Sequence, residues 1–343
     1  MLIALSVAVC ILVGGWIYQA WGAARDRRKF LAPGRLINAG AGQMHVVDSG
    51  VGNPPVVLES GLAATHLNWT VVQDELSRTM RVCSYDRGSL GWSDAAKTPR
   101  LLATLIEELH QVLTAADVAS PCILVGHSFG GLLVRCYAVR HPDRVGGLVL
   151  VDPLATDEWL APSESRARML RRGAMLALRG GVLARFGVVR LALAVLSRGG
   201  RSVPKFVARV SSSSDGESAI ERVLGEVRKM PSETWPIVRA HWCLPKCFRG
   251  LASYVELLPA NSAEAASIGM PPEQIPVTII SGATATPAQI AERDAIAGHS
   301  QHGNHVIARN TGHWVHLDEP ELVVDAIRQM SQGVCAGPAA HSK

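Results

Sequence analysis

Charge is what this sequence has little of. Charged residues make up 18% of its 343 residues and aromatic residues 5%, against roughly 25% charged in an ordinary soluble domain. No charged side chain precedes Arg25. With 48% hydrophobic residues, the chain leaves little room for long disorder. The net charge of +5 does not point to nucleic acid either. The basic residues gather just after residue 24 and between residues 166 and 209, with no aromatic-rich basic module around them. Cysteines are few and odd in number, at seven. Cys83, Cys122 and Cys136 fall in apolar stretches and read as core thiols. The single C-x₃-C of Cys243 and Cys247 decides nothing about redox compartment.

Residues 1–24 form an uncharged apolar run, and Arg25-Asp26-Arg27-Arg28-Lys29 follows abruptly. As a helix that run spans roughly 36 Å, enough for a hydrocarbon core of about 30 Å. Trp16, Tyr18 and Trp21 sit near one end, as interfacial aromatics should. A secretory signal is the competing reading, but it would carry its positive charge before the run. Trp21-Gly22-Ala23-Ala24 is also a poor cleavage site. The expectation is a single-pass anchor over 1–24 and a basic juxtamembrane linker over 25–34. The positive-inside rule then puts the main domain in the cytoplasm.

Beyond the linker, apolar β-branched runs alternate with helix-period segments. The runs are Arg35–Asn38, Gln43–Asp48, Pro55–Glu59, Arg81–Tyr85, Cys122–Val125 and Val145–Val151. Trp69–Thr79, Leu101–Ala115 and Gly130–His141 lie between them as helices. This alternation predicts an α/β class, with a mostly parallel sheet covered on both faces. The first two runs lack an intervening helix and should pair antiparallel. After Asp152 the alternation stops. Residues 155–270 read as helical, rich in Arg, Leu and Ala, and broken at Gly180-Gly181, Gly199-Gly200, Pro204 and Pro231. Ser211–Ser214 reads as a loop. Strand patterns return at Val277–Ser281 and His305–Arg309, and Pro320–Gln332 reads as a final helix. An interruption of about 115 residues is too long for a loop and must be a second layer or lid. The expected organisation is a core over 35–154 and 273–334, a helical cap over 155–272, and a tail over 335–343.

Gly126-His127-Ser128-Phe129-Gly130 fits G-x-S-x-G. Ile123-Leu124-Val125 runs into it as a strand, and Gly131-Leu132-Leu133-Val134-Arg135 leaves it as a helix. A serine nucleophile requires that setting: a strained turn, tolerated by glycines, that lifts the hydroxyl above the sheet. The following helix aims its N-terminal dipole and the Phe129 amide at a developing oxyanion. With this elbow, the chain resembles the α/β-hydrolase superfamily over about residues 35–332. Tyr85-Asp86-Arg87-Gly88-Ser89-Leu90-Gly91-Trp92-Ser93-Asp94 looks like its loop after the fourth strand. Gly312-His313-Trp314-Val315-His316-Leu317-Asp318-Glu319-Pro320 looks like its catalytic-histidine loop. The resemblance implies an eight-stranded, mostly parallel sheet with a cap inserted between strands six and seven.

The resemblance also implies roles. Ser128 would be the nucleophile and His313 the base, with His316 the less favoured histidine. His127 would be a packing or hydrogen-bonding neighbour of the elbow. The oxyanion donors would be the amides of Phe129 and Leu62. Glu59-Ser60-Gly61-Leu62-Ala63 stands where many relatives carry His-Gly. The usual acid position after the seventh strand, Ser281-Gly282-Ala283-Thr284-Ala285-Thr286-Pro287, holds no carboxylate. Glu292 and Asp294 come too late and read as helical. Asp152, at the end of the sixth strand, is the candidate acid; the alternative is that it merely ends the strand. His299, His302 and His305 have metal-like spacing but read as surface residues.

No metal or organic cofactor is called for, and a small-molecule acyl substrate is expected. A serine ester hydrolase of esterase or lipase type leads. Other triad chemistry (perhydrolysis or C–C bond hydrolysis) and a non-catalytic binding protein on the same fold remain open. A serine elbow argues against the carboxylate chemistry of dehalogenases and epoxide hydrolases. The cap's arginines among leucines read as a solvated face or, alternatively, as a surface resting on anionic lipid.

Overall fold

The computed structural model describes residues 1–40, 42–197 and 226–336. Helix α1 (Leu2–Lys29) begins the chain and is the one described helix long and apolar enough to cross a membrane. It runs through the basic cluster to Lys29, where the sequence reading ends it at Ala24. Nothing in Arg25–Lys29 breaks a helix, and the first proline comes only at Pro33.

An eight-stranded sheet follows, in the order β1-β2-β4-β3-β5-β6-β7-β8. β1 (Arg35–Asn38) pairs antiparallel with β2 (Gln43–Ser49), and β2 pairs antiparallel with β4 (Val82–Asp86). β3 (Val56–Glu59), β5 (Cys122–His127), β6 (Val145–Val151), β7 (Val277–Gly282) and β8 (Gly303–Ala308) continue the sheet in parallel from β4. These bounds lie within one to two residues of the expected runs.

The inner parallel strands β3, β5, β6 and β7 are buried on both faces, which is why they are mostly apolar rather than alternating with polar residues. Val57, Leu124, Leu148, Leu150 and Ile279 face one layer, with α3 (Leu102–Ala115) and α4 (Phe129–Arg140). Val56, Leu58, Ile123, Val125, Val149, Val151 and Ile280 face the other, with Trp69 and with Val72 and Leu76 of α2 (Thr70–Leu76).

Between β6 and β7 lies the cap: α5 (Glu164–Arg185), α6 (Val188–Ser197), α7 (Trp235–Trp242) and α8 (Pro245–Ile268). Gly180-Gly181 does not break α5 as expected. A Cβ on Gly180 would lie 2.6 Å from the Phe248 ring, so the small residues let α8 pack closely while the helix continues. Gly199-Gly200, Pro204 and Ser211–Ser214 lie outside the described residues. The cap is bonded to the core through Asn261, which accepts from the Leu102 amide at 2.8 Å and donates to the Arg100 carbonyl at 3.0 Å. α9 (Pro287–His299) and α10 (Pro320–Ala336) complete the layers.

Candidate active site

The elbow forms because strand and helix meet with almost no space between them. A Cβ on Gly126 would lie 2.5 Å from the Gly130 carbonyl oxygen, and one on Gly130 would lie 2.5 Å from that of Ser60. Only hydrogen fits at either position. Ser128, between β5 and α4, is driven to φ 53° and ψ −118°. That conformation is strained for an L residue. Its amide donates to the Val151 carbonyl at 3.0 Å, so the serine stands beside the end of β6.

Three of the anticipated residues come together there. His313 Nε2 lies 3.0 Å from Ser128 Oγ, and His313 Nδ1 lies 2.6 Å from Asp152 Oδ2. Asp152 follows β6 at φ 40°, and its other oxygen accepts from the Gly282 amide at 2.9 Å and from Arg293 at 2.7 Å. Burial disfavours its charge, but the His313 hydrogen bond, Arg293 and the Gly282 amide outweigh burial and hold the carboxyl below its usual range. Glu292 and Asp294 lie on α9, away from Asp152: Glu292 accepts from the Thr156 amide at 2.7 Å, and Asp294 bonds His305 at 2.7 Å. His305 is therefore not the surface residue that the sequence suggested. It also bonds Ser281 at 2.8 Å, and its side chain is 7% exposed.

His316 does not reach Ser128: its ring packs at a tilt between those of Trp69 and His127. Burial and the neighbouring His313 push its pKa down to about 3. His127 bonds the His313 carbonyl at 2.9 Å, which fixes the backbone that presents His313.

Residues 54–193 match the family model described as "alpha/beta hydrolase fold". The 2-hydroxy-6-oxo-2,4-heptadienoate hydrolase of Pseudomonas putida is 36% identical over 121 residues, 34% of this chain and 44% of that protein. Epoxide hydrolase 3 of Xenopus tropicalis is 33% identical over 115 residues, 32% of this chain and 30% of that protein. A thermophilic esterase from Thermogutta terrifontis superposes with a TM-score of 0.59 at 19% identity, covering 88% of this chain and 98% of that one. The chain has the α/β-hydrolase fold. Its matches span less than half the length of the first curated relatives.

Around the elbow, this α/β-hydrolase-fold chain carries a buried network that the sequence did not disclose. Glu59 accepts a hydrogen bond from Tyr85 and pairs with Arg87 at 3.4 Å. Burial pushes the Glu59 carboxyl up to about 7, against the pull of Arg87. Arg87 also donates to the Gly61 carbonyl and lies over the rings of Phe129 and Tyr254, at 5.4 and 4.9 Å. Leu62, half-buried, follows that carbonyl, and Gly61 lies against His127 and Ser128.

Among the described residues, one cluster has the donor types of a metal site: His45, His66 and Asp86. The donors do not fit a metal. Both Nδ1 atoms already bond Asp86, at 2.8 and 3.0 Å, and the His66 and Trp92 amides occupy its remaining lone pairs. The cluster instead fixes the turn after β4. A cleft opens between Leu62–Thr65 and the cap, walled by Met230, Val238, Trp242 and Leu251 and also by the polar Asn68, Glu226 and His241.

Proposed function

We propose that the protein is a serine hydrolase acting on an ester-type substrate with an apolar portion. The observation that carries this reading is the continuous relay from Ser128 Oγ through His313 to Asp152, at 3.0 and 2.6 Å. Ser128 attacks the acyl carbonyl and His313 Nε2 takes its proton. Asp152 holds the Nδ1–H and stabilises the imidazolium. Arg293 and the Gly282 amide hold Asp152 in turn.

The oxyanion rests on the amides of Phe129 and Leu62. In a trans peptide the N–H points opposite the carbonyl. Arg87, by binding the Gly61 carbonyl, turns the Leu62 N–H away from itself and leaves it free to donate to an oxyanion. His313 then passes its proton to the leaving group. Water, deprotonated by the same ring, releases the acid from the acyl-enzyme. The apolar part of the cleft wall supports a substrate with a hydrocarbon portion. The chemistry assigned to Ser128 differs from that of a carboxylate nucleophile, which separates this reading from epoxide opening.

A second reading is hydrolysis of a C–C bond next to a carbonyl by the same three residues. The likeness to the heptadienoate hydrolase favours it. A panel of p-nitrophenyl esters, run beside a vinylogous diketone acid, separates the two. The ester reading predicts turnover of esters with kcat/KM at least a hundredfold above that for the diketone. The reverse order would replace it.

We further read α1 as an uncleaved membrane anchor, with the domain on the cytoplasmic side by its trailing Arg25–Lys29 cluster. Two features support the anchor: a mean hydropathy of 2.0 over its most apolar window, and burial of only 6% of that window.

A further inference from the structure

Only part of α1 stands clear of the domain. From Gly15 onward it lies against the corner between α5 and α6. A Cβ on Gly15 would come within 2.5 Å of the Phe186 carbonyl oxygen, and one on Gly187 within 2.7 Å of the Tyr18 ring. Farther along, Arg190 donates to Gln19 at 2.9 Å and pairs with Asp26, and Gln19 donates to the Cys243 carbonyl at 2.8 Å. These side chains are buried, so the contact is a built joint.

The stretch of α1 that is clear of the domain, Leu2 to Gly14, rises about 20 Å at about 1.5 Å per residue. A hydrocarbon core is about 30 Å thick. If α1 spans the membrane, roughly another 10 Å of it must lie at membrane depth, and that stretch is the one joined to the α5–α6 corner.

The corner has the surface such a position needs. Met175, Leu178, Val182 and Leu183 on α5, with Val188 and Leu191 on α6, are 47–59% exposed. The same helix α5 carries the exposed Arg171, Arg172, Arg179 and Arg185. No acidic residue follows Glu164 on either helix. A solvated helix face would carry both signs of charge and few large aliphatics. Aliphatic side chains mixed with arginines, whose stems lie in the apolar layer while their heads reach phosphates, describe an interfacial helix instead.

We propose that the α5–α6 corner of the cap is sunk into the interface of an anionic bilayer alongside α1. This rests on the anchor reading above and adds that the cap, not α1 alone, contacts lipid.

The test uses the full chain in vesicles of phosphatidylcholine with 30 mol% phosphatidylglycerol. Its two exposed cysteines are first removed as Cys10→Ser and Cys335→Ser. Single spin labels are placed through Val182→Cys, Leu191→Cys, Val7→Cys and, as an aqueous reference on the β2–β3 loop, Val51→Cys. Collision with oxygen against a nickel chelate reads the depth of each. Labels at 182 and 191 are expected about 5–10 Å below the phosphates, with 7 deeper and 51 aqueous. A deep label at 7 with aqueous labels at 182 and 191 overturns this proposal and leaves the anchor standing. An aqueous label at 7 overturns both. Shielding at 182 from both collision partners, with spin–spin broadening that rises with protein density, would mean a second copy covers the corner, and also overturns it.

Discussion

In the proposed mechanism Asp152 must stay ionised in a buried place for His313 to be held in the productive orientation, and Arg293 secures this together with the His313 hydrogen bond itself. Its guanidinium spans Asp152 Oδ1, Ser281 Oγ and the Pro153 carbonyl, at 2.7, 2.9 and 2.8 Å. Arg293→Gln removes the cation but keeps a donor. We expect kcat to fall about tenfold with little change in KM, because a positioning residue acts on the transition state rather than on substrate binding. Steady-state kinetics with the best ester check this; a loss confined to KM would contradict it.

In the proposed mechanism Arg87 plays the corresponding part for the oxyanion loop. Arg87→Met should lower kcat by about 10–100-fold, below the about 10²–10³ of losing an oxyanion donor outright, since Leu62 stays in place. The same kinetics read it, with Arg87→Lys recovering part of the loss.

Among the elements, the strand–turn–helix of β5 and α4 was legible in the sequence because the residues that mark it are local. Gly126, Ser128 and Gly130 lie within five consecutive positions, and no distant residue is needed to recognise the turn. The prediction at this scale is that Gly130→Ala drives a Cβ into the Ser60 and Glu59 carbonyls, both within 2.6 Å. Overpacking of that kind costs about 1–3 kcal/mol, and urea unfolding measures it. Strands were equally legible, since burial on both sheet faces leaves continuous apolar runs. Arg293 and the Glu59–Tyr85–Arg87 network were not. Arg293 lies 141 residues from Asp152 in the chain, and which arginine meets which carboxylate depends on how α9 packs against β7 and β8. Gly180-Gly181 misled for a related reason: the local preference for a break gives way to the packing of Phe248.

Across the whole molecule, several histidines are buried in places that exclude their charged form. Burial pushes His316 down to about 3 and His241 to about 4, and holds His127 well below its ordinary range. Unfolded, each titrates near 6.5. Between the folded and unfolded values the unfolded chain binds the extra protons, so this stability is fully present above pH 6.5 and is lost as pH falls toward 3–4. For His316 and His241 the loss should amount to a few kcal/mol each. Urea unfolding at pH 7.5 and 4.5 should therefore show a steep drop in the wild type and a smaller one in His316→Leu. Equal drops would contradict this origin.

The central claim is that Ser128 is activated by His313. The most direct measurement is labelling of the full chain by a fluorophosphonate, followed by mass spectrometry of the modified peptide. The account predicts a single adduct on Ser128 that is absent in Ser128→Ala and forms at least about a hundredfold more slowly in His313→Ala. A folded wild type that takes no label, or takes it at another residue, would contradict it.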